Sequence, residues 1–159
     1  MGCGKTTIAK KLSKKLNLKY IDLDKYIEKY EGNTIKKIFT SKGEEKFRKL
    51  EEKYLKKILN NNNNIIIATG GGTPIFNNLM KIMNNAGKTI YLECSSETLF
   101  SRLKDKIKER PLIDSFNQKE LKIYIQRVLN KRKIFYKKAT YIIDNNNENC
   151  LNEILSLLR

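Results

Sequence analysis

Short hydrophobic runs alternate along the chain with longer stretches in which hydrophobic residues recur every three or four positions. The runs predict β-strands, at 19–23, 65–68, 88–93 and 140–144. The periodic stretches predict amphipathic helices, at 5–16, 25–30, 34–39, 44–59, 77–85, 96–104, 119–138 and 148–158. Strands that alternate with helices are typical of a mostly parallel sheet covered on both faces. We therefore predict a doubly wound α/β fold, a three-layer α/β/α sandwich.

The chain shows no linker and no internal repeat, so residues 1–159 are expected to form a single domain. The segment at about 105–117 lacks periodicity and contains Arg110-Pro111-Leu112, which predicts an exposed loop that acts as a lid. A proline-stiffened surface turn is the alternative for this loop. No hydrophobic run approaches the ~18 residues of a transmembrane helix, and no membrane association is expected.

Charge and cysteine content narrow the function classes. The net charge of +16 raises the question of nucleic-acid binding, but the excess of Lys accompanies runs of Asn and many Ile. That combination indicates compositional drift over the whole chain, and we expect no specific nucleic-acid partner, only a positive field that attracts anionic substrates. The three cysteines are far apart and the chain has no His, which disfavours a zinc site or a disulfide framework. A cytoplasmic location is expected.

The N-terminus carries the second half of a phosphate-binding loop, whose full pattern is G-x-x-x-x-G-K-[ST]. Gly4-Lys5-Thr6 supplies the end of this pattern at the start of a predicted helix, where free N–H groups favour an anion. The first glycine and the strand that normally precedes the loop would lie upstream of Met1, so we expect an incomplete start and a sheet without its first strand. The alternative is an ordinary glycine-rich helix start.

Two carboxylates end the first predicted strand. Asp22 and Asp24 lie two residues apart, and side chains at that spacing in a strand point to the same side. We therefore expect both to face one cavity, where a metal ion and a substrate hydroxyl compensate their repulsion. The alternative for Asp24 is a structural role as the cap of the helix that follows.

Arginine is rare in this Lys-rich chain, which makes Arg48, Arg110 and Arg132 candidates for recognition of a carboxylate or phosphate by a planar fork. Glu51 follows Arg48 by one helical turn and is expected to orient it, although a plain surface ion pair is the alternative. The run of three glycines at 70–72 follows a buried strand, and close approach of a ligand or an unusual turn is expected there.

Taken in order, these motifs resemble the shikimate kinases, small P-loop kinases of the nucleoside-monophosphate-kinase-like group. The resemblance spans the chain from Met1 to about Asp144. It rests on Met1-Gly2-Cys3-Gly4-Lys5-Thr6-Thr7, Asp22-Leu23-Asp24, Gly43-Glu44 with Phe47-Arg48 and Glu51, Thr69-Gly70-Gly71-Gly72, Arg110-Pro111-Leu112, and Arg132 with Phe135-Tyr136. Each motif is weak alone, but the set in this order and spacing is specific.

The resemblance implies transfer of the ATP γ-phosphoryl group to the 3-hydroxyl of shikimate, in the route to chorismate and the aromatic amino acids. It implies catalytic roles for Lys5, Asp24 and Arg110, with Asp24 accepting or orienting the attacking hydroxyl. It implies Mg²⁺ binding by Thr6 and Asp22. It assigns nucleotide binding to Gly2, Cys3, Gly4, Lys5, Thr6, Thr7 and Arg110. It assigns shikimate binding to Asp24, Arg48, Gly71, Gly72 and Arg132.

Other functions stay open at this stage. The stretch Asn145-Asn146-Asn147-Glu148 stands where the family usually places a basic residue near the adenine, so adenine contacts are expected to differ. A related small-metabolite kinase, such as a gluconate kinase, is the main rival enzyme. A non-catalytic binding protein derived from a kinase is the rival from another class, prompted by the missing strand. A monomer is expected in either case.

Overall fold

The computed structural model describes residues 2–61, 63–105, 115–146 and 149–158. Helices and strands alternate along it as the hydrophobic pattern predicts, and most boundaries agree within two residues. The helices are α1 (Lys5–Leu16), α2 (Leu23–Glu31), α3 (Ile35–Asn61), α4 (Leu79–Ala86), α5 (Ser96–Leu103), α6 (Gln118–Tyr136) and α7 (Cys150–Leu158). The strands are β1 (Lys19–Asp22), β2 (Ile65–Ala68), β3 (Ile90–Glu93) and β4 (Tyr141–Asp144).

The chain divides into two compact units, one formed by residues 5–87 and the other by residues 1–4 together with 88–159. In the 5–87 unit, β1 and β2 pair in parallel, with Asp22 opposite Ala68 at their carboxyl ends. In the 88–159 unit, β3 and β4 also pair in parallel. The strands therefore have the parallel pairing that the sequence predicts.

The core of the 5–87 unit is formed by α2, α3 and the inner face of β1. Leu23 and Ile27 of α2 are fully buried against Leu55 and Ile58 of α3 and their neighbours. Helix α3 is interrupted at Gly43, where φ is 76° and ψ is 170°, so it consists of the two helices that the sequence predicts. This core fixes the ends of β1 and α3, which carry the polar residues described below.

The 88–159 unit has a separate core between α5 and α6. Cys94, Leu99, Leu103, Leu121 and Ile125 form it. Ser95 caps the start of α5, because its hydroxyl accepts from the N–H of Thr98. In the four ranges that the structure covers, no helix is both long enough and apolar enough to cross a lipid bilayer.

Candidate active site

Asp22 joins the end of β1 to the starts of α1 and α2. Its Oδ1 atom accepts from the backbone N–H of Lys25 at 3.3 Å, which caps α2. Its Oδ2 atom accepts from the hydroxyl of Thr6 at 3.1 Å and from the hydroxyl of Tyr20 at 3.0 Å. The predicted metal ligands Thr6 and Asp22 are thus adjacent, and Tyr20 is a partner that the sequence reasoning missed.

Tyr20 keeps its proton in this position. The pKa of Tyr20 is raised to about 12, mainly by burial and further by the negative charge of Asp22. The phenol therefore stays a hydrogen-bond donor at neutral pH and helps to fix the orientation of the carboxylate. The remaining lone pairs of Asp22 and Thr6 are what a hard divalent cation with several water ligands would use.

The structural account of the two aspartates needs a correction. The prediction placed Asp22 and Asp24 on one side of a strand and allowed Asp24 as the helix cap. Instead α2 begins at Leu23, so Asp22 is the cap and Asp24 lies in the first helical turn. A helix that starts two residues earlier than the periodicity suggests is enough to exchange these roles. The two carboxylates still lie close enough that the charge of Asp22 contributes to raising the pKa of Asp24.

Asp24 is held as a weak acid with an unused acceptor. The pKa of Asp24 is raised to about 6, mainly by burial. The negative charges of Glu51, Asp22 and Glu28 also raise this pKa, whereas the positive charge of Lys5 lowers it. Within the described residues, its Oδ1 atom is buried and has no hydrogen-bond partner. Because an unpaired buried acceptor is costly, this atom is suited to receive a ligand hydroxyl. A carboxylate with a pKa near neutrality is also suited to act as a general base.

Arg48 is fixed on α3 by carboxylates on two sides. Its Nη1 atom donates to Glu51, and its Nε and Nη2 atoms donate to Oε1 of Glu44 at 3.2 and 2.9 Å. Burial alone would lower the pKa of Arg48, but Glu51 and Glu44 raise it, so the guanidinium stays charged. The alternative of a plain surface ion pair between Arg48 and Glu51 is wrong, because Glu51 is completely buried.

Thr73 completes the surroundings of Glu51. Its hydroxyl is fully buried and donates to Oε1 of Glu51 at 2.5 Å. The sequence reasoning did not single out this residue, which directly follows the glycine run. Glu51 therefore links α3 to the loop after β2, beyond the expected support of Arg48.

Close packing of protein side chains accounts for Gly70 and Gly72, whereas the ligand approach or unusual turn expected for the glycine run stays a prediction. A Cβ atom at Gly70 would lie 2.6 Å from Oε1 of Glu51, and one at Gly72 would overlap the guanidinium of Arg48. Side chains are thus excluded at both positions by the groups that form the site. The role of Gly71, whose amide is implied in substrate binding, stays a prediction.

The start of the predicted phosphate-binding loop, residues 2–4, belongs to the 88–159 unit. Gly2 and Gly4 have φ angles of 78° and 79°, a left-handed conformation that glycine adopts without strain. The side-chain amide of Asn145 donates to the carbonyl of Cys3 at 2.5 Å. Arg102 donates to the backbone carbonyl of Asn145 at 2.9 Å. Asn145, which the sequence reasoning noted only as a missing basic residue, thus supports this loop.

The predicted roles of three further site residues are not tested by this arrangement. Arg132 lies half-buried on α6 in the 88–159 unit, and a carboxylate site shared with Arg48 stays a prediction. Arg110 and most of the proposed lid lie outside the described residues. Thr7 is exposed in the first turn of α1, and its contact with a nucleotide also stays a prediction.

Two solved structures are closely similar to the whole chain. The shikimate kinase from Bacteroides thetaiotaomicron has a TM-score of 0.90 at 37% sequence identity, covering 99% of this chain and 91% of its own. The shikimate kinase from Acinetobacter baumannii in complex with shikimate has a TM-score of 0.88 at 30% identity, covering 99% and 88%. The chain therefore has the P-loop kinase fold, and the predicted fold class is confirmed.

Sequence comparison narrows the class to one family. The family model for shikimate kinase matches residues 1–159. The shikimate kinase of Azobacteroides pseudotrichonymphae genomovar. CFP2 is 44% identical over 142 residues, which cover 89% of this chain and 84% of that relative. The shikimate kinase of Bacteroides thetaiotaomicron is 41% identical over 144 residues, which cover 91% and 82%. The chain belongs to the shikimate kinase family.

Proposed function

We propose that the chain transfers the γ-phosphoryl group of ATP to the 3-hydroxyl of shikimate and produces shikimate 3-phosphate and ADP. The observation that supports this most is Asp24, whose buried Oδ1 atom has no partner among the described residues and whose pKa is raised to about 6 by burial and neighbouring carboxylates. Asp24 accepts the proton of the 3-hydroxyl as that oxygen attacks the γ-phosphorus. The bond from the γ-phosphorus to the β–γ bridging oxygen breaks, and ADP leaves with that electron pair.

Arg48 is suited to the carboxylate of the acceptor. A guanidinium has five N–H groups, and Glu44 and Glu51 use three of them through Nε, Nη1 and Nη2. One N–H on each terminal nitrogen remains, and both can donate to the carboxylate of the acceptor. In the proposed site Arg132 and the amides of Gly71 and Gly72 complete the binding of shikimate.

Lys5 and the loop residues before it serve the nucleotide in this proposal. Lys5 begins α1, where free N–H groups and the positive end of the helix dipole favour an anion. Its ammonium group binds the β- and γ-phosphates, with Gly2, Cys3, Gly4, Thr6 and Thr7 around the phosphate chain. Arg110 is proposed to approach the transferred group from a lid at about 105–117, most of which lies outside the described residues.

Thr6 and Asp22 fit a magnesium ion. Their oxygens are 3.1 Å apart, and Mg²⁺ commonly takes only one or two protein ligands and keeps several waters. The described residues contain no group of three or more His, Cys, Asp or Glu that could hold a metal. The proposed site would therefore hold Mg²⁺ through this one pair of protein oxygens, with water as the other ligands. When bound, the ion neutralises charge on the β- and γ-phosphate oxygens.

The proposal extends to a monomeric cytoplasmic enzyme in which residues 1–159 act as one catalytic domain. Among the described residues Cys3, Cys94 and Cys150 form no disulfide, which is compatible with a reducing compartment. The test is a coupled ADP-release assay with Mg²⁺, ATP and either shikimate or gluconate, run on the wild type, Asp24→Asn and the exposed-site control Glu45→Gln. We expect activity with shikimate in the wild type and the control alone. Faster ADP release with gluconate than with shikimate, or no ADP release with shikimate, would reject the assignment.

A further inference from the structure

Thr73 makes a contact that the reaction as proposed above does not use. The residue is completely buried, and its hydroxyl donates to Oε1 of Glu51 at 2.5 Å across 22 positions of sequence. Threonine at this place supplies a hydrogen, whereas an apolar residue of the same shape would leave the facing oxygen bare. The contact joins the loop after β2 to the middle of α3.

Glu51 needs donors on both of its oxygens because it is completely buried. Arg48 donates to Oε2, and Thr73 donates to Oε1. With both oxygens bound, the carboxylate has one fixed orientation, and so does the guanidinium that pairs with it. If the hydroxyl of Thr73 is removed, the carboxylate of Glu51 is free to rotate toward Arg48. The N–H groups of Arg48 that Glu44 and Glu51 do not use would then point in another direction.

The surroundings of this contact are the acceptor side of the proposed site. Gly72, the residue before Thr73, packs so closely on Arg48 that a Cβ atom would overlap the guanidinium. A Cβ atom at Gly70 would lie 2.6 Å from Oε1 of Glu51, 3.2 Å from Oγ1 of Thr73 and 3.6 Å from Oδ1 of Asp24. The Thr73–Glu51 hydrogen bond is therefore next to both the proposed general base and the proposed carboxylate anchor.

We propose that Thr73 is a positioning residue for the acceptor: its hydroxyl holds Glu51, and through Glu51 it sets the direction in which Arg48 offers its fork. This inference rests on the proposed function, because the ligand of Arg48 is taken to be the carboxylate of shikimate. Thr73 does not touch the substrate or the transferred group. Its loss weakens binding of the acid and leaves the nucleotide side unchanged.

The experiment compares four residues at position 73 in the full chain. Val has nearly the same shape as Thr but lacks the hydroxyl, and Ala differs from Ser only by the hydroxyl. The hydroxyl is thus removed once from the larger side chain and once from the smaller one. For the wild type, Thr73→Val, Thr73→Ser and Thr73→Ala, KM for shikimate, KM for ATP and kcat are measured on protein whose folded fraction is checked by thermal unfolding. The same four residues are then measured in an Arg48→Lys background.

We expect each removal of the hydroxyl to raise KM for shikimate by about tenfold, the size of one lost charge-assisted hydrogen bond, with KM for ATP changed less than about twofold. In the Arg48→Lys background, the difference in KM for shikimate between Thr and Val at position 73, and between Ser and Ala, is expected to shrink to about twofold or less. If Thr73→Val does not fold, the Ser and Ala pair decides the matter alone.

Two results would overturn the inference. The first is an equal KM for shikimate within the folded pairs, or a change that affects ATP and shikimate alike, which indicates a merely structural residue. The second is an effect of the hydroxyl that persists undiminished without Arg48. A wild-type chain that neither binds nor phosphorylates shikimate would instead reject the proposed function, and this inference with it.

Discussion

Asp24 and Glu51 place two carboxylates from different helices close enough to interact in one buried region. Burial is the main reason that the pKa of Asp24 rises to about 6, and the charge of Glu51 is the next cause. Glu51 also forms a direct ion pair with Arg48. The same buried glutamate thus affects the proposed base and the proposed substrate anchor.

The pH dependence of the reaction follows from this pair. Because a protonated Asp24 cannot accept the hydroxyl proton, kcat/KM for shikimate is expected to fall about tenfold per pH unit below the pKa of about 6. In Glu51→Gln one negative charge is removed, so the pKa of Asp24 falls and the acid limb is expected to move to lower pH, whatever the loss in absolute rate. Rate profiles between pH 4.5 and pH 8 check this. An acid limb in the same place in both proteins would contradict the coupling.

Asp24 is also expected to make the folded protein less stable at neutral pH. A carboxyl group whose folded-state pKa is raised binds protons more tightly when folded, so stability declines as the pH rises from about 4 to about 6. We expect Asp24→Asn to increase the free energy of unfolding at pH 7.5 by about 1–3 kcal/mol, while turnover falls by about 10²-fold or more. Urea unfolding measures the first effect, and the difference from wild type is expected to vanish near pH 4. Glu45→Gln, an exposed carboxylate, is the control and is expected to change neither quantity.

Arg48 is expected to be irreplaceable by lysine. Lysine keeps the charge but offers neither the bidentate fork nor the simultaneous contacts with Glu44 and Glu51. Arg48→Lys should raise KM for shikimate by about 10- to 100-fold and leave KM for ATP nearly constant. Arg127→Lys, an exposed change on α6, is the control. Equal effects on the two substrates would show that Arg48 acts only through stability.

Gly72 offers a test with a matched glycine. Gly72→Ala places a methyl group where the Arg48 guanidinium lies, whereas a Cβ atom at Gly87 meets nothing within 4 Å. We expect Gly72→Ala to weaken shikimate binding by at least about tenfold, because Arg48 must move. Gly87→Ala should bind normally. Calorimetric titration of both variants decides this, and normal binding by Gly72→Ala would show that the guanidinium adapts.

Tyr20 is expected to tune the metal side of the site. Tyr20→Phe removes one of the two hydroxyl donors to Oδ2 of Asp22, while Thr6 and the N–H of Lys25 remain. The carboxylate is then less fixed, and the Mg²⁺ concentration needed for half-maximal activity should rise about threefold with little change in KM for shikimate. Activity is titrated with Mg²⁺ at constant ATP, with the exposed Tyr30→Phe as control. An unchanged Mg²⁺ requirement would assign the Tyr20 hydroxyl a purely structural role.

Much of the fold and of the 5–87 part of the site could be predicted from local sequence. The spacing of hydrophobic residues predicted the helices and strands, including the separate helices on either side of Gly43. This works because side chains face the same side every three or four residues in a helix and every second residue in a strand. Arg48 was recognised because arginine is rare in this chain, and Glu51 because it follows Arg48 by one helical turn. The glycine run was recognised because three consecutive glycines are costly in backbone entropy. The exchange of roles between Asp22 and Asp24 was missed because it depends on where α2 begins, to within two residues.

The remaining partners depend on contacts between distant segments. Thr73 meets Glu51 across 22 positions, and Asn145 meets Cys3 across 142, so no local pattern indicates either contact. Tyr20 differs, since it lies two residues before Asp22 on β1 and alternation already places the two side chains on one face. Attention to polar residues on the same strand face would have found it.

The most direct test is ³¹P NMR of the purified chain incubated with Mg²⁺, ATP and shikimate, next to an identical sample with gluconate. We expect a new phosphomonoester signal from shikimate 3-phosphate that grows in step with ADP, at a rate lower by about 10²-fold or more with Asp24→Asn. No such signal is expected with gluconate. ATP that stays intact in the presence of shikimate, or a phosphorylated product from gluconate instead, would contradict the assignment of the acceptor.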